Sequence, residues 1–324
     1  MKAAVYYENG GPEVFKYEDM QDPICKANEV LIKIKSISIE GGDLINREIR
    51  PLPQVPNIVG YQCAGEIIKV GIEVKDRFVG QRVVSLGNSG SHAQFIAVET
   101  FRTYPIPEGL SYESASAIPV AFVTAHECLF GSGNLKARET VLIHGGTGSL
   151  GLAAIQMASQ AGAIVIATGS DETKLKKLLQ FGAGHVINYK TQSIVNEVMA
   201  ITKNVGVDLV IDSVGGKNLA LSAEALAYRG RIAFVGLSSR EPNLFDPFLL
   251  WKQNATLHGV FLPGIVETEK KETAELLAEI FKDVVSGKLI VTIDQTFPLS
   301  KVRDAHQYVE ERKGFGRVLL NPEL

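Results

Sequence analysis

From residue 1 to about 110 the chain alternates short apolar runs with breaks at Gly, Pro, Asn and Asp, as in Val30-Leu31-Ile32-Lys33-Ile34 and Gly80-Gln81-Arg82-Val83-Val84-Ser85. Runs bounded in this way predict strands, and so a β-rich region. From about 120 the rhythm changes, and apolar runs lie between stretches of helical period, as in βαβ units on a parallel sheet. Four of these runs, 140–144, 163–167, 207–211 and 230–235, have no polar face. Strands covered by helices on both sides read this way, whereas half-exposed strands alternate, so the region predicts a doubly wound parallel sheet. Beyond about 260, a charged helical segment (267–286), an apolar strand-like run (289–293), a second helical segment (299–312) and a last strand (317–320) predict a tail returning to the first region.

Length and composition narrow the class. A chain of 324 residues exceeds the size at which one hydrophobic core keeps growing, which favours two domains. Hydrophobic residues make up 45% and charged residues 21%, the balance of an ordinary globular protein. Net charge is −3, with no Lys/Arg block to follow a nucleic-acid backbone, so nucleic acid is not an expected partner. Cys25, Cys63 and Cys128 are odd in number and lack CxxC spacing, which argues against disulfides and a four-thiolate zinc site and for a cytoplasmic setting. The first residues turn polar at Glu8-Asn9-Gly10-Gly11, before a signal-peptide core forms, and no apolar run nears the ~20 residues of a membrane helix. A soluble, cytoplasmic protein is expected.

The most informative stretch follows the first buried run. Residues 140–154 contain G-x-G-x-x-G as Gly146, Gly148 and Gly151, leaving an apolar strand and entering an alanine-rich helical segment. That context makes the motif a dinucleotide fingerprint. Gly146 permits the tight turn, Gly148 lets the backbone approach a pyrophosphate, and Gly151 lets helix and strand pack closely. Thr147, Ser149 and Leu150 complete the turn, and the phosphates sit at the helix N-terminus, where free N–H groups and the dipole favour an anion.

An NAD site needs a carboxylate at the end of the next strand, about 20 residues on, to bind the ribose 2′-hydroxyl. This strand ends Ala167-Thr168-Gly169-Ser170, with glycine at the acid position and Asp171 two residues later in the turn. Ser170 and Lys174 instead offer a hydroxyl and a cation to a 2′-phosphate, which favours NADPH.

With these features placed, the sequence resembles, nearly end to end, the quinone oxidoreductase (zeta-crystallin-like), zinc-independent branch of the medium-chain dehydrogenase/reductase superfamily. The landmarks are Met1-Lys-Ala-Ala, Asn57-Ile-Val-Gly60-Tyr-Gln-Cys-Ala-Gly65-Glu, Val79-Gly-Gln-Arg-Val83, residues 145–151 and Gly316-Arg-Val-Leu. The resemblance implies an α/β architecture with a GroES-like catalytic domain (1–120 and 262–324) around a Rossmann NADP-binding domain (121–261), and a homodimer. It also implies that Lys174, Tyr189 and Arg312 hold the 2′-phosphate, that Thr124 touches the nicotinamide, and that Gly236 and Phe261 lie in segments lining its pocket. The superfamily's alcohol dehydrogenases hold zinc with Cys, His and Cys, and the aligned positions here are Glu40, Tyr61 and Val120, which cannot supply three such ligands.

Reduction of a quinone or enone is less dependent on a metal, because the charge delivered with the hydride spreads into the conjugated system. The cofactor then carries the chemistry while the protein positions the reactants and excludes water. Where many relatives have Asn, this chain reads Ser38-Ile39-Glu40-Gly41-Gly42-Asp43. Glu40 is read either as a carboxylate facing the substrate pocket or as a solvated loop acid. Asp43 and Arg47 match positions common in the branch, as an ion pair or as catalytic groups. His92, placed in a strand over 91–95, and His126 are read as structural, and Cys63 as inert. The expected activity is NADPH-dependent reduction of a quinone. The alternatives are an enone or alkenal double-bond reductase and an NADPH-binding sensor with little turnover.

Overall fold

The computed structural model describes residues 1–242 and 245–324. The chain divides into two compact units, Met1–Val120 with Pro263–Leu324, and Ala121–Leu262. No helix among the described residues is long and apolar enough to cross a membrane.

The N-terminal part of the first unit supplies β1 (Lys2–Val5), β2 (Lys16–Asp19), β3 (Glu29–Ser38), α1 (Gly41–Ile49), β4 (Gln62–Val70), β5 (Arg82–Leu86), β6 (Phe95–Glu99), β7 (Thr103–Pro105) and α2 (Tyr112–Ser116). β3 is the hub, antiparallel to both β4 and β6. The strand expected over 91–95 starts only at Phe95. The residues before it bond sideways to β1 instead, with Ala4 N donating to His92 O at 2.8 Å, which buries His92 completely.

The chain enters the second unit within α3 (Pro119–His126) and continues through β8 (Thr140–Ile143), α4 (Ser149–Gln160), β9 (Ile164–Gly169), α5 (Glu172–Leu178), β10 (His185–Asn188), α6 (Ile194–Ile201), β11 (Val207–Asp212), α7 (Lys217–Glu224), β12 (Leu226–Phe234), α8 (Phe248–Gln253) and β13 (Thr256–Gly259). Its six strands are all parallel, in the order β10-β9-β8-β11-β12-β13. This is the doubly wound order of a Rossmann sheet, and its direction reverses between β8 and β11. Ile143, Ile166 and Val210 are fully buried, as their all-apolar runs require. The two edge strands, His185-Val-Ile-Asn188 and Thr256-Leu-His-Gly259, escape pattern reading because each is four residues long and half polar.

The tail adds α9 (Leu262–Thr268), α10 (Lys270–Val285), β14 (Ile293–Pro298), α11 (Val302–Glu310) and β15 (Arg317–Asn321), and so completes the first unit. There β15 pairs with β3, giving the order β14-β15-β3-β4-β5-β7 with β6 also on β3. Leu299, Val302, Ala305 and Leu320 of the tail share one core with Ile32, Ile34, Ile37, Ile67 and Val83. The strand expected over 289–293 lies later, because parallel pairing with β15 runs from Ile293 to Pro298. The architecture is thus a GroES-like β-rich unit and a Rossmann unit.

Candidate active site

The strand β8 hands its chain to α4 through the glycine turn. Gly146 N donates to Thr168 O at 2.8 Å, which ties the turn to β9. A Cβ on Gly151 would lie 2.4 Å from Gly145 O and 2.6 Å from Gly146 Cα, so only glycine lets helix and turn approach this closely. Gly148 caps α4 without offering a side chain. The N–H groups of Ser149, Leu150 and Gly151 are the first of the helix and have no intrahelical acceptor. A turn stripped of side chains and rich in directed N–H groups fits a dinucleotide pyrophosphate.

At the end of β9, a Cβ on Gly169 would lie 2.9 Å from Leu175 Cδ2, and the Thr147 methyl packs over the same spot. The acids nearest in sequence are engaged: Asp171 Oδ1 accepts from Lys174 N at 2.8 Å, capping α5, and Glu172 Oε1 accepts from Asn188 Nδ2 at 2.5 Å. Tyr189 N donates to Gly169 O at 3.1 Å. Ser170, Lys174 in the first turn of α5, and Tyr189 therefore gather at one sheet edge. Thr124 is buried on α3, Gly236 follows β12, and Phe261 is exposed just after β13. Arg312 belongs to the first unit, in the turn after α11 with φ +54°.

In the first unit, Glu40 is neither a solvated loop acid nor an open pocket carboxylate. It is 2% exposed and paired with Arg317 of β15 through Oε2 at 2.5 Å. Its other oxygen accepts from Ser38 Oγ at 2.7 Å and from Gln62 Nε2 at 3.1 Å. Arg317 Nη1 also donates to Ile39 O at 2.8 Å. Gln62 Oε1 in turn accepts from Val120 N at 2.6 Å. The sequence does not mark Arg317 and Gln62 as partners of Glu40, because the pairing joins segments that are separate in the chain.

Asp43 is fully buried at the start of α1, where one oxygen accepts from Glu40 N at 2.9 Å and the other has no partner. Burial, reinforced by Glu40, holds its carboxyl well above the usual range. Arg47 does not pair with Asp43. It pairs with Glu310 and donates to His306 Nδ1 at 2.9 Å, while His306 Nε2 meets His92 Nε2 at 3.1 Å. Burial pushes His92 down to about 3 and His306 well below its ordinary value, so both are neutral structural groups. His126 stacks edge-on against Phe130 at 5.1 Å. Burial pushes the Cys63 thiol up to about 12, as expected of an inert cysteine.

The positions aligned with zinc ligands do come together, through Gln62, but they do not suit a metal. Glu40 is committed to Arg317, and Tyr61 is held as a neutral phenol by burial beside Glu40 and Asp43. The Val120 side chain has no ligand atom, and its N–H is spent on Gln62. Among the described residues no group of three His, Cys, Asp or Glu side chains is arranged to hold a metal ion.

Residues 149–281 match the zinc-binding dehydrogenase family model, and residues 26–108 match the alcohol dehydrogenase GroES-like domain. Mouse quinone oxidoreductase is 31% identical over 327 residues, covering 99% of this chain and 97% of the relative. The chain belongs to the quinone oxidoreductase family. A zebrafish synaptic vesicle membrane protein VAT-1 homolog is 30% identical over 93% of this chain, which spans 66% of that longer relative. Among solved structures, Escherichia coli quinone oxidoreductase complexed with NADPH superposes with a TM-score of 0.95 at 29% identity, covering 99% of this chain and all of that one.

Proposed function

We propose that this family member is an NADPH-dependent, zinc-independent reductase that transfers hydride to a quinone or similar conjugated carbonyl acceptor. The observation that carries the cofactor assignment is the end of β9, where glycine stands at the acid position and the neighbouring acids are bound internally. Ser170, Lys174 and Tyr189 take the 2′-phosphate there, and the turn over 146–151 takes the pyrophosphate. The relative solved with NADPH supports the same reading.

The reduced nicotinamide, when bound, supplies the hydride. The chain's own part is to orient it, with Thr124, Gly236 and Phe261 assigned to the nicotinamide end. A conjugated acceptor spreads the incoming charge, so no metal is required to stabilise it. Glu40, already neutralised by Arg317, and Asp43 are assigned to shaping the start of α1 rather than to exchanging protons with the acceptor. The three cysteines are free thiols, in keeping with the cytoplasm.

Lys174→Ala tests the assignment. It should weaken NADPH by about tenfold or more, the scale of a lost charge-assisted contact, while leaving NADH within twofold. Equal weakening of both cofactors, read by fluorescence titration, would remove Lys174 from the 2′-phosphate.

A further inference from the structure

Beneath the glycine turn lies a buried polar chain. His144, the residue between β8 and Gly145, is 2% exposed, with Nδ1 3.3 Å from Thr168 Oγ1 and Nε2 3.1 Å from Ser222 Oγ of α7. Ser222 Oγ donates to Asp212 Oδ2 at 2.8 Å. Asp212 ends β11, is fully buried, and also accepts from Asn218 Nδ2 at 3.2 Å and from the N–H groups of Val214 and Gly215 at 2.9 Å each.

The donors fix the direction of the chain. The one Ser222 proton faces Asp212 Oδ2 at 2.8 Å and Asn218 O at 3.0 Å, and with either acceptor it is unavailable to His144, so Ser222 accepts from His144 Nε2–H, and His144 Nδ1 accepts from the Thr168 hydroxyl. Burial holds His144 below its ordinary pKa, consistent with a single neutral tautomer. Thr168 then grips the turn twice, by its side chain at His144 and by its carbonyl at Gly146 N. On the other side, Asp212 folds the 213–216 loop over itself. Ser238 N and Ser239 N bond to Ser213 O at 3.2 Å and Val214 O at 2.9 Å, which ties in the loop after β12.

Three loops at the carboxyl edge of the sheet are thus joined by one line of hydrogen bonds: the glycine turn, the loop after β11 and the loop after β12. They flank the switch point, where an α/β sheet binds its ligand. We propose that His144, Ser222 and Asp212 are positioning residues for the cofactor, holding the pyrophosphate turn and the loops after β11 and β12 in one register. The proposal rests on the cofactor reading above. It differs from that reading in acting on the part of the cofactor common to NADPH and NADH.

Dissociation constants of NADPH and NADH are to be titrated by fluorescence for the wild-type chain, Ser222→Ala and Lys174→Ala. Ser222→Ala cuts the link while removing one atom, and should weaken both cofactors by the same factor of about ten, the loss expected of a buried bond to a carboxylate. Lys174→Ala should weaken NADPH alone. A purely structural role for Ser222 would lower the melting temperature and leave both constants unchanged, and that result, or a loss confined to NADPH, overturns the proposal. If Ser222→Ala does not fold, His144→Gln makes the same test from the other end of the chain. Failure of the wild type to bind either cofactor would remove the NADPH reading together with this one, whereas unchanged constants in Ser222→Ala remove this one alone.

Discussion

At the scale of single residues, Glu40 and Arg317 show how charge is managed in a dry interior. Desolvating two charges is expensive, and their mutual attraction together with the bonds from Ser38 and Gln62 offsets it. Removing one partner strands the other, so Arg317→Met should lower unfolding free energy by about 3–5 kcal/mol. The double change Glu40→Met with Arg317→Met should recover most of that loss in urea denaturation; no recovery would mean that the pair is not coupled. The buried histidines set a second expectation. His92, His144 and His306 have folded pKa values depressed below 6.5, so the unfolded state binds more protons as pH falls. Their contribution to stability is present above pH 6.5 and is lost as pH falls below it, continuing for His92 until about pH 3. Asp43, raised above its usual range, works in the opposite direction but is one group against three. Urea midpoints should therefore fall between pH 7 and pH 5, and a flat profile would contradict the buried neutral histidines.

At the scale of elements, legibility followed whether the physics was local. The apolar runs of β8, β9, β11 and β12 and the glycine spacing after β8 were readable because each needs only its own residues to be recognised. The edge strand β13 was not, since among the described residues one side of it has no strand to pair with, and three of its four residues are polar or glycine. The displacement of the strand expected over 289–293 has a similar cause, because its register is set by β15, which lies beyond it in sequence. Glu40 was recognisable as unusual, but its partner Arg317 lies 277 positions away and only the fold brings them together. The side of β13 facing away from β12, to which no strand pairs among the described residues, carries its own expectation, since such an edge is a template for another strand. The homodimer implied by the family resemblance would cover it, with a light-scattering mass of twice 35.1 kDa, and proline at Leu257 should shift that mass toward the monomer. A monomeric wild type would contradict the assignment.

At the scale of the whole molecule, a Rossmann unit with a glycine turn and a GroES-like unit without metal ligands at the aligned positions combine into one account of function. Hydride chemistry resides in the cofactor, and the proposed acceptors, which need no Lewis acid, are the ones compatible with Glu40, Tyr61 and Val120 at the aligned positions. The most direct measurement is NADPH oxidation by the EDTA-treated, dialysed protein against quinones, enones, alkenals and simple aldehydes. Metal-free turnover of NADPH with a conjugated acceptor, unchanged when zinc is added back, is the predicted result. Activity that disappears with EDTA and returns with zinc, or tight NADPH binding with no turnover of any conjugated acceptor, would contradict it.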